Sequence, residues 1–211
     1  HNPAHLKGID ACSKVMPGKP QVVVFDTAFH QTMPAMAYTY GLPKEYAEKH
    51  KIRRYGAHGT SHRYVSGRVA ELMGKPVEEL KIITCHLGNG SSITAVKNGK
   101  VLDTSMGFTP HEGMLMGTRC GDIDATAVLY LMKHEGFTPE RMDQMLNKES
   151  GLMGVSGVSS DFREIDDAIA AGNEQAKLAR DIFIYRVKKY IGSYVAAMNG
   201  VDAIAFTAGV G

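Results

Sequence analysis

Residues 81–105, KIITCHLGNGSSITAVKNGKVLDTS, constrain the fold more than any other stretch of the chain. "KIITCH" and "SSITAVK" are short runs rich in β-branched residues, the composition of strands buried on a pleated surface. "LGNG" joins them, and Asn98-Gly99 joins the second to "GKVLDTS". Asn-Gly is the dipeptide a type I′ hairpin demands, because both central residues need positive φ. A three-strand meander is therefore predicted here. The first loop is less easily explained. Gly88 and Gly90 flank Asn89, and two glycines in one turn mean either positive φ or a backbone that must come close to something.

The rest of the chain surrounds that meander with alternating elements. "QVVVFD" (21–26) reads as a buried strand that delivers Asp26 at its end. Residues 27–50 are loop-rich with short helical turns, and "KIRRYG" (51–56) is a candidate short strand. A helix is expected over 61–73, stopped by Gly74 and Pro76. Residues 105–121 form a second glycine-rich loop, after which Asp122 is positioned to cap a helix to 134 that is apolar nearly all round and so buried. Thr138-Pro139 starts another helix, and "DFRE" (161–164) is a cap followed by a glutamate three residues on. The longest helix is expected over 174–199, its apolar stripe facing the core, and "VDAIAF" is the last strand. The class is α/β with a mixed sheet and flanking helices.

Composition excludes several functions. Lys and Arg total 24 against 22 acids, for a formal charge of +2, which offers no electrostatic basis for nucleic acid or an anionic membrane. Cys12, Cys85 and Cys120 are far apart and without CxxC spacing, which argues against disulfides or zinc and fits a reducing cytosol. No apolar run approaches the roughly 18 residues that would span a bilayer. The chain opens on "HNPAHLKG" without an initiator methionine and closes on "FTAGVG" straight after a strand-like run, the pattern of a piece of a longer protein.

Four loops share one grammar: an element end, glycines, and a residue able to meet an anion. "HLGNGSS" offers backbone N–H groups unshielded by Cβ. "AHGTSH" puts His58 just ahead of a helix start, where free N–H groups favour negative charge. "GTRCGD" puts the Arg119 guanidinium ahead of the next helix. "FTAGVG" runs a strand into glycines. Each alone has a structural alternative: capping or core histidines at His58 and His62, a surface ion pair at Arg119, a turn cap at Asp26. No Walker A and no GxGxxG occurs.

The segments "VFDTAFHQTMP", "RRYGAHGTSHRYV", "CHLGNGSS", "DTSMGFTPHEGMLMGTRCGDID" and "FTAGVG" resemble, in order and spacing, the acetate kinase family, over His1 to Gly211. That family belongs to the superfamily of acetate and sugar kinases, heat-shock chaperones and actin. The resemblance implies a ribonuclease-H-like (actin-like ATPase) domain over 28–211, preceded by a remnant of an amino-terminal domain, with one strand, over 1–27. It implies transfer of a phosphoryl group from ATP to acetate, giving ADP and acetyl phosphate, with Mg²⁺, in a cytoplasmic homodimer.

Carried over by residue, the resemblance makes Asp26, His58 and Arg119 catalytic. Asp26 is also a candidate Mg²⁺ ligand; the family's metal-associated glutamate lies outside the chain. The nucleotide falls on His86, Leu87, Gly88, Asn89 and Gly90, on Asp161, Phe162 and Arg163, and on Gly209, Val210 and Gly211. Ala57, where many relatives carry phenylalanine, and Pro110 imply a roomier acyl pocket open to propionate. His5, His111 and Ala125 depart from the family pattern without a functional reading. With half the cleft missing, the fragment itself is expected to be inactive. The alternatives are a propionate or other short-chain acyl kinase, and a non-catalytic, actin-like nucleotide-binding module.

Overall fold

A computed structural model describes residues 2–211; His1 lies outside the described residues. Helix α1 (Asn2–Val15) comes first, then a 3₁₀ turn (Ala28–Thr32), α2 (Ala35–Tyr38), α3 (Lys44–His50) and α4 (Gly59–Met73). A second 3₁₀ turn (Val77–Glu79) leads into β1 (Lys81–Leu87), β2 (Ser91–Lys97) and β3 (Lys100–Thr104). Then follow α5 (Ala125–Glu135), α6 (Pro139–Lys148), α7 (Gly151–Ser156), α8 (Phe162–Ala170), α9 (Glu174–Met198) and β4 (Ala203–Thr207).

The sheet order is β3-β2-β1-β4. β1 pairs antiparallel with β2 and parallel with β4, so the sheet is mixed, as its predicted elements require. Asn98 and Gly99 both have positive φ, 55° and 74°, which is the expected hairpin turn. Strand β1 is central and buried on both faces. Its odd residues Ile83, Cys85 and Leu87 join Ile93 and Ala95 of β2 against Phe183, Val187, Tyr194 and Met198 of α9. The apolar stripe of α9 thus faces the core. On the opposite face, Ile82 and Val96 pack with Ala70 of α4 and Leu80.

Four expectations fail. Residues 21–25 form no strand: Val22, Val23, Val24 and Phe25 are 57–85 % exposed, and no described segment lies beside them to complete a ladder. "KIRRYG" is not a strand either. Arg54 instead donates to the carbonyls of Thr104 and Ser105 and pairs with Glu112, and the N–H groups of Tyr55 and Gly56 both go to the Gly107 carbonyl, so no regular ladder develops. Asp122 does not cap α5. Asp124 does, accepting from the Thr126 N–H at 2.7 Å, while Asp122 accepts from Gly113 N–H and Tyr190 hydroxyl. Nor is α5 buried: Leu129 and Tyr130 are 65 % and 62 % exposed, and among the described elements the helix packs chiefly against α6.

The other two expected caps form: Thr138 accepts from Arg141 N–H and Asp161 from Arg163 N–H. Asn173, not singled out in the sequence, caps α9 by accepting from the N–H groups of Gln175 and Ala176.

Candidate active site

The even residues of β1 and β2 give one sheet face its polar character. Thr84, Ser92 and Thr94 are fully buried on the side covered by α4 and the Ala28–Thr32 turn. Four imidazoles meet them there. His62 Nδ1 lies 2.7 Å from Thr84 Oγ1 and its Nε2 2.7 Å from Ser92 Oγ; His58 Nδ1 lies 2.8 Å from the same Ser92 oxygen. His86 Nδ1 meets Ser61 Oγ at 2.8 Å, and its ring stacks on His58 with centroids 4.1 Å apart. His30 reaches Thr94 at 3.3 Å. The sequence reading weighed His62 as a capping or core residue and gave Ser92 and His30 no role. Strand alternation places Ser92 on one face with Thr84, His86 and Thr94, but His30, in the Ala28–Thr32 turn, has no such signal.

Burial depresses these rings. Desolvation is the main cause at His58, with the neighbouring His86 adding to it, and its pKa falls to about 4. His30 falls to about 4 for the same principal reason, His62 well below the usual value, and His86 also downward. All four are neutral imidazoles near pH 7.

Asp26 fixes the approach to α4. Its carboxylate accepts from the His58 N–H at 2.9 Å and its carbonyl from the Gly59 N–H at 2.8 Å. His58 sits at the N-cap with φ 59°, a left-handed conformation that costs a non-glycine residue about 1–3 kcal/mol. Gly59 has no room for a Cβ, which would stand 2.5 Å from the Asp26 carbonyl oxygen.

Gly90 is where the loops converge. A Cβ there would lie 3.5 Å from Arg119 Nη1 and 3.6 Å from His58 Nε2. Neither Gly88 nor Gly90 is in the left-handed region. Arg119 Nη1 donates to the Pro110 carbonyl at 2.9 Å, and burial lowers its pKa with no carboxylate to offset it. The 105–121 loop also meets the β1–β2 loop at its backbone: Gly117 N–H donates to the Asn89 carbonyl at 3.0 Å, and a side chain at Gly117 would collide with Asn89.

Beside this junction is a hollow of about 460 Å³, lined by Gly88, Asn89, Ser160, Asp161, Phe162, Arg163, Gly209 and Val210. Three segments far apart in sequence and predicted to share one ligand do share one wall. Asp161 caps α8, and the Arg163 guanidinium bound to it, together with the helix N–H, holds its carboxyl down to about 2. Phe162 turns its ring onto Phe183 in the core, centroids 4.7 Å apart. Val210 N–H donates to the Leu87 carbonyl, joining the last loop to β1. Gly211 packs against Thr207 backbone.

The proposed acyl residues separate. Ala57 is buried in the core cluster, whereas Pro110 is exposed and lines a second hollow of about 290 Å³ with Arg119, His111, Asn147 and Lys148. His111 bridges Asn147 Oδ1 and Cys120 Sγ, both at 3.2 Å, a local tie between the 105–121 loop and α6. Among the described residues, no cluster of three His, Cys, Asp or Glu side chains could hold a metal, and no helix is long and apolar enough to cross a membrane.

A mixed four-stranded sheet with helices packed on both faces defines an α/β fold of the actin-like class. The chain belongs to the acetokinase family, which matches it over residues 1–211. It is 66 % identical over 211 residues to an acetate kinase of Dictyoglomus turgidum, covering 100 % of this chain and 52 % of that protein. The crystal structure of Porphyromonas gingivalis acetate kinase superimposes with a TM-score of 0.96 at 57 % identity, over 100 % of this chain and 53 % of that one. A propionate kinase from Francisella tularensis gives 0.95 at 49 % identity, over 100 % and 54 %. The chain thus spans about half the length of the relatives it matches.

Proposed function

We propose that the protein carrying this chain transfers the terminal phosphoryl group of ATP to acetate, forming ADP and acetyl phosphate reversibly. The observation that carries this reading is the meeting of the Arg119 guanidinium and the His58 imidazole at Gly90, beside the hollow at Asp161 and Gly209. Residues 28–211 would form the nucleotide-binding domain and 1–27 part of a second one, in a cytoplasmic homodimer.

The chemistry follows from charge. Acetate is already ionised at neutral pH, so the nucleophile has no proton to lose and the site needs no general base. The obstacle is one anion approaching another, with charge spreading over the equatorial oxygens in transit. The Gly88 N–H is donated to the Gly90 carbonyl, so the backbone N–H groups of Asn89 and Gly90, the second bare of Cβ, would hold the polyphosphate. Arg119, which has no carboxylate partner among the described residues, would supply a cation to the transferred group. Neutral His58 would act as an N–H donor rather than as a second cation, because its pKa is about 4.

Asp26 fits one further group. One of its carboxylate oxygens takes the His58 N–H, leaving the other for a hard cation that draws its remaining oxygens from phosphate and water. Mg²⁺ bound there would offset charge on the β- and γ-phosphates. Asp26→Asn is expected to weaken Mg²⁺ affinity and turnover together; unchanged values of both would remove Asp26 from this role.

Propionate is the second acceptor. Ala57 stands where many relatives carry phenylalanine, and room for one methylene changes selectivity by only about 1–3 kcal/mol. The hydroxamate assay on the whole protein, run with acetate, propionate and butyrate, tests both readings. Acetyl hydroxamate with a smaller propionyl yield is expected, and none from the 211-residue chain alone. No product from the whole protein overturns the kinase reading; an acetate-to-propionate ratio above about a thousand overturns the second.

A further inference from the structure

We propose that Thr84, His62 and Ser92 form a one-way hydrogen-bond relay that holds the ring proton of His58 on Nε2, the nitrogen beside Gly90. The contacts run in series: Thr84 Oγ1 to His62 Nδ1 at 2.7 Å, His62 Nε2 to Ser92 Oγ at 2.7 Å, and Ser92 Oγ to His58 Nδ1 at 2.8 Å. Thr84, His62 and Ser92 are 0 % exposed, so every O–H and N–H among them must find its acceptor inside the protein.

A hydroxyl carries one proton, so Ser92, placed between two ring nitrogens, donates to one and accepts from the other. Two directions meet that condition. In one, Thr84 donates to His62 Nδ1, His62 donates from Nε2 to Ser92, and Ser92 donates to His58 Nδ1, leaving His58 protonated at Nε2. In the other, every bond is reversed and the Thr84 hydroxyl receives a proton from His62. Its own O–H would then be buried without an acceptor, since among the described residues Thr84 Oγ1 meets His62 alone. The first direction leaves nothing unmade. It requires a neutral ring at His62, and burial supplies that.

The functional weight of the relay rests on the kinase reading. Nε2 lies 3.6 Å from the position a Gly90 Cβ would take, so a proton there is a donor toward a phosphoryl oxygen, whereas the other tautomer would present a lone pair to an anion. Thr84, His62 and Ser92 are positioning residues, acting through His58.

The test is long-range ¹H–¹⁵N correlation on the whole protein labelled with ¹⁵N-histidine, which reports the protonated nitrogen of each ring. His58 is expected as the Nε2–H form, with an Nδ1–H population emerging in Ser92→Ala and in the isosteric Thr84→Val. Nδ1–H in the wild type overturns the relay, and so does a pure Nε2–H form in both variants. In the hydroxamate assay, Ser92→Ala is expected to lower kcat about tenfold with KM for ATP and acetate within twofold. An unchanged kcat overturns the catalytic importance of the ordering. Absence of acyl phosphate from the wild type would overturn the kinase reading, while the ring spectra would still decide the relay.

Discussion

Strand β2 is entered and left through glycine turns, and the two use glycine for opposite reasons. At Asn98-Gly99 both residues lie at positive φ, and the turn is exposed and closes a hairpin. At Gly88-Asn89-Gly90 neither glycine is left-handed, and what Gly90 provides is nearness to Arg119 and His58. The first turn needs backbone freedom. The second needs a missing side chain. The same letter in the sequence therefore reports backbone freedom at one end of a strand and close approach of side chains at the other.

The largest expected effect comes from removing what the second turn approaches. Arg119→Ala should lower turnover of the whole protein about 10²–10³-fold, the range for loss of one positioned donor; a loss below about fivefold would strip the junction of its function. Gly90→Ala comes next. Its methyl would meet Arg119 and His58 at ordinary contact distances, so the thermal midpoint should hold while kcat/KM for ATP falls about 10²-fold. A loss of stability without a kinetic loss would make this turn structural.

Acid sharpens the contrast through the histidines beneath the functional turn. His30, lowered to about 4, and His62 have folded pKa values below the unfolded 6.5, so their stabilising share is complete above pH 6.5 and is lost as pH falls toward 4. In that window the unfolded ring binds a proton that the folded ring refuses, so each costs up to about 1.4 kcal/mol per pH unit. Urea midpoints at pH 7.5 and 5.5 should show the drop, and His30→Gln should flatten it. The smallest effect is at the other turn: Gly99→Ala, at φ 74°, should cost about 1 kcal/mol of stability and leave kinetics unchanged.

Much of this was legible in the chain. Hairpin chemistry at Asn98-Gly99, the caps at Thr138 and Asp161, and the long stripe of α9 are local signals, and local physics decides them. The failures share a cause. "QVVVFD" has strand composition, but a strand is made by its neighbour, and none of the described residues supplies one. Helix α5 reads as buried for the same reason. Asp122 and Asp124 are both capping residues by type, and the tertiary bonds of Asp122 to Gly113 and Tyr190 separate them. At the candidate site, the residues carrying glycine-loop grammar or family resemblance were recoverable. Thr84, Ser92 and His30 were not, because a serine or threonine in a strand looks like β-propensity until the opposite layer brings an imidazole to it.

The parallel pairing of β1 with β4 has a kinetic corollary. Ile82 lies opposite Ala203, so two of the three segments that wall the 460 Å³ hollow stand side by side only after strands 121 residues apart in sequence (203 minus 82) have found each other. The meander can assemble by short-range closure, but that wall cannot. If the hollow seats the nucleotide proposed for it, that seat is missing from a partly folded chain, and nucleotide affinity should be the last property to emerge during refolding.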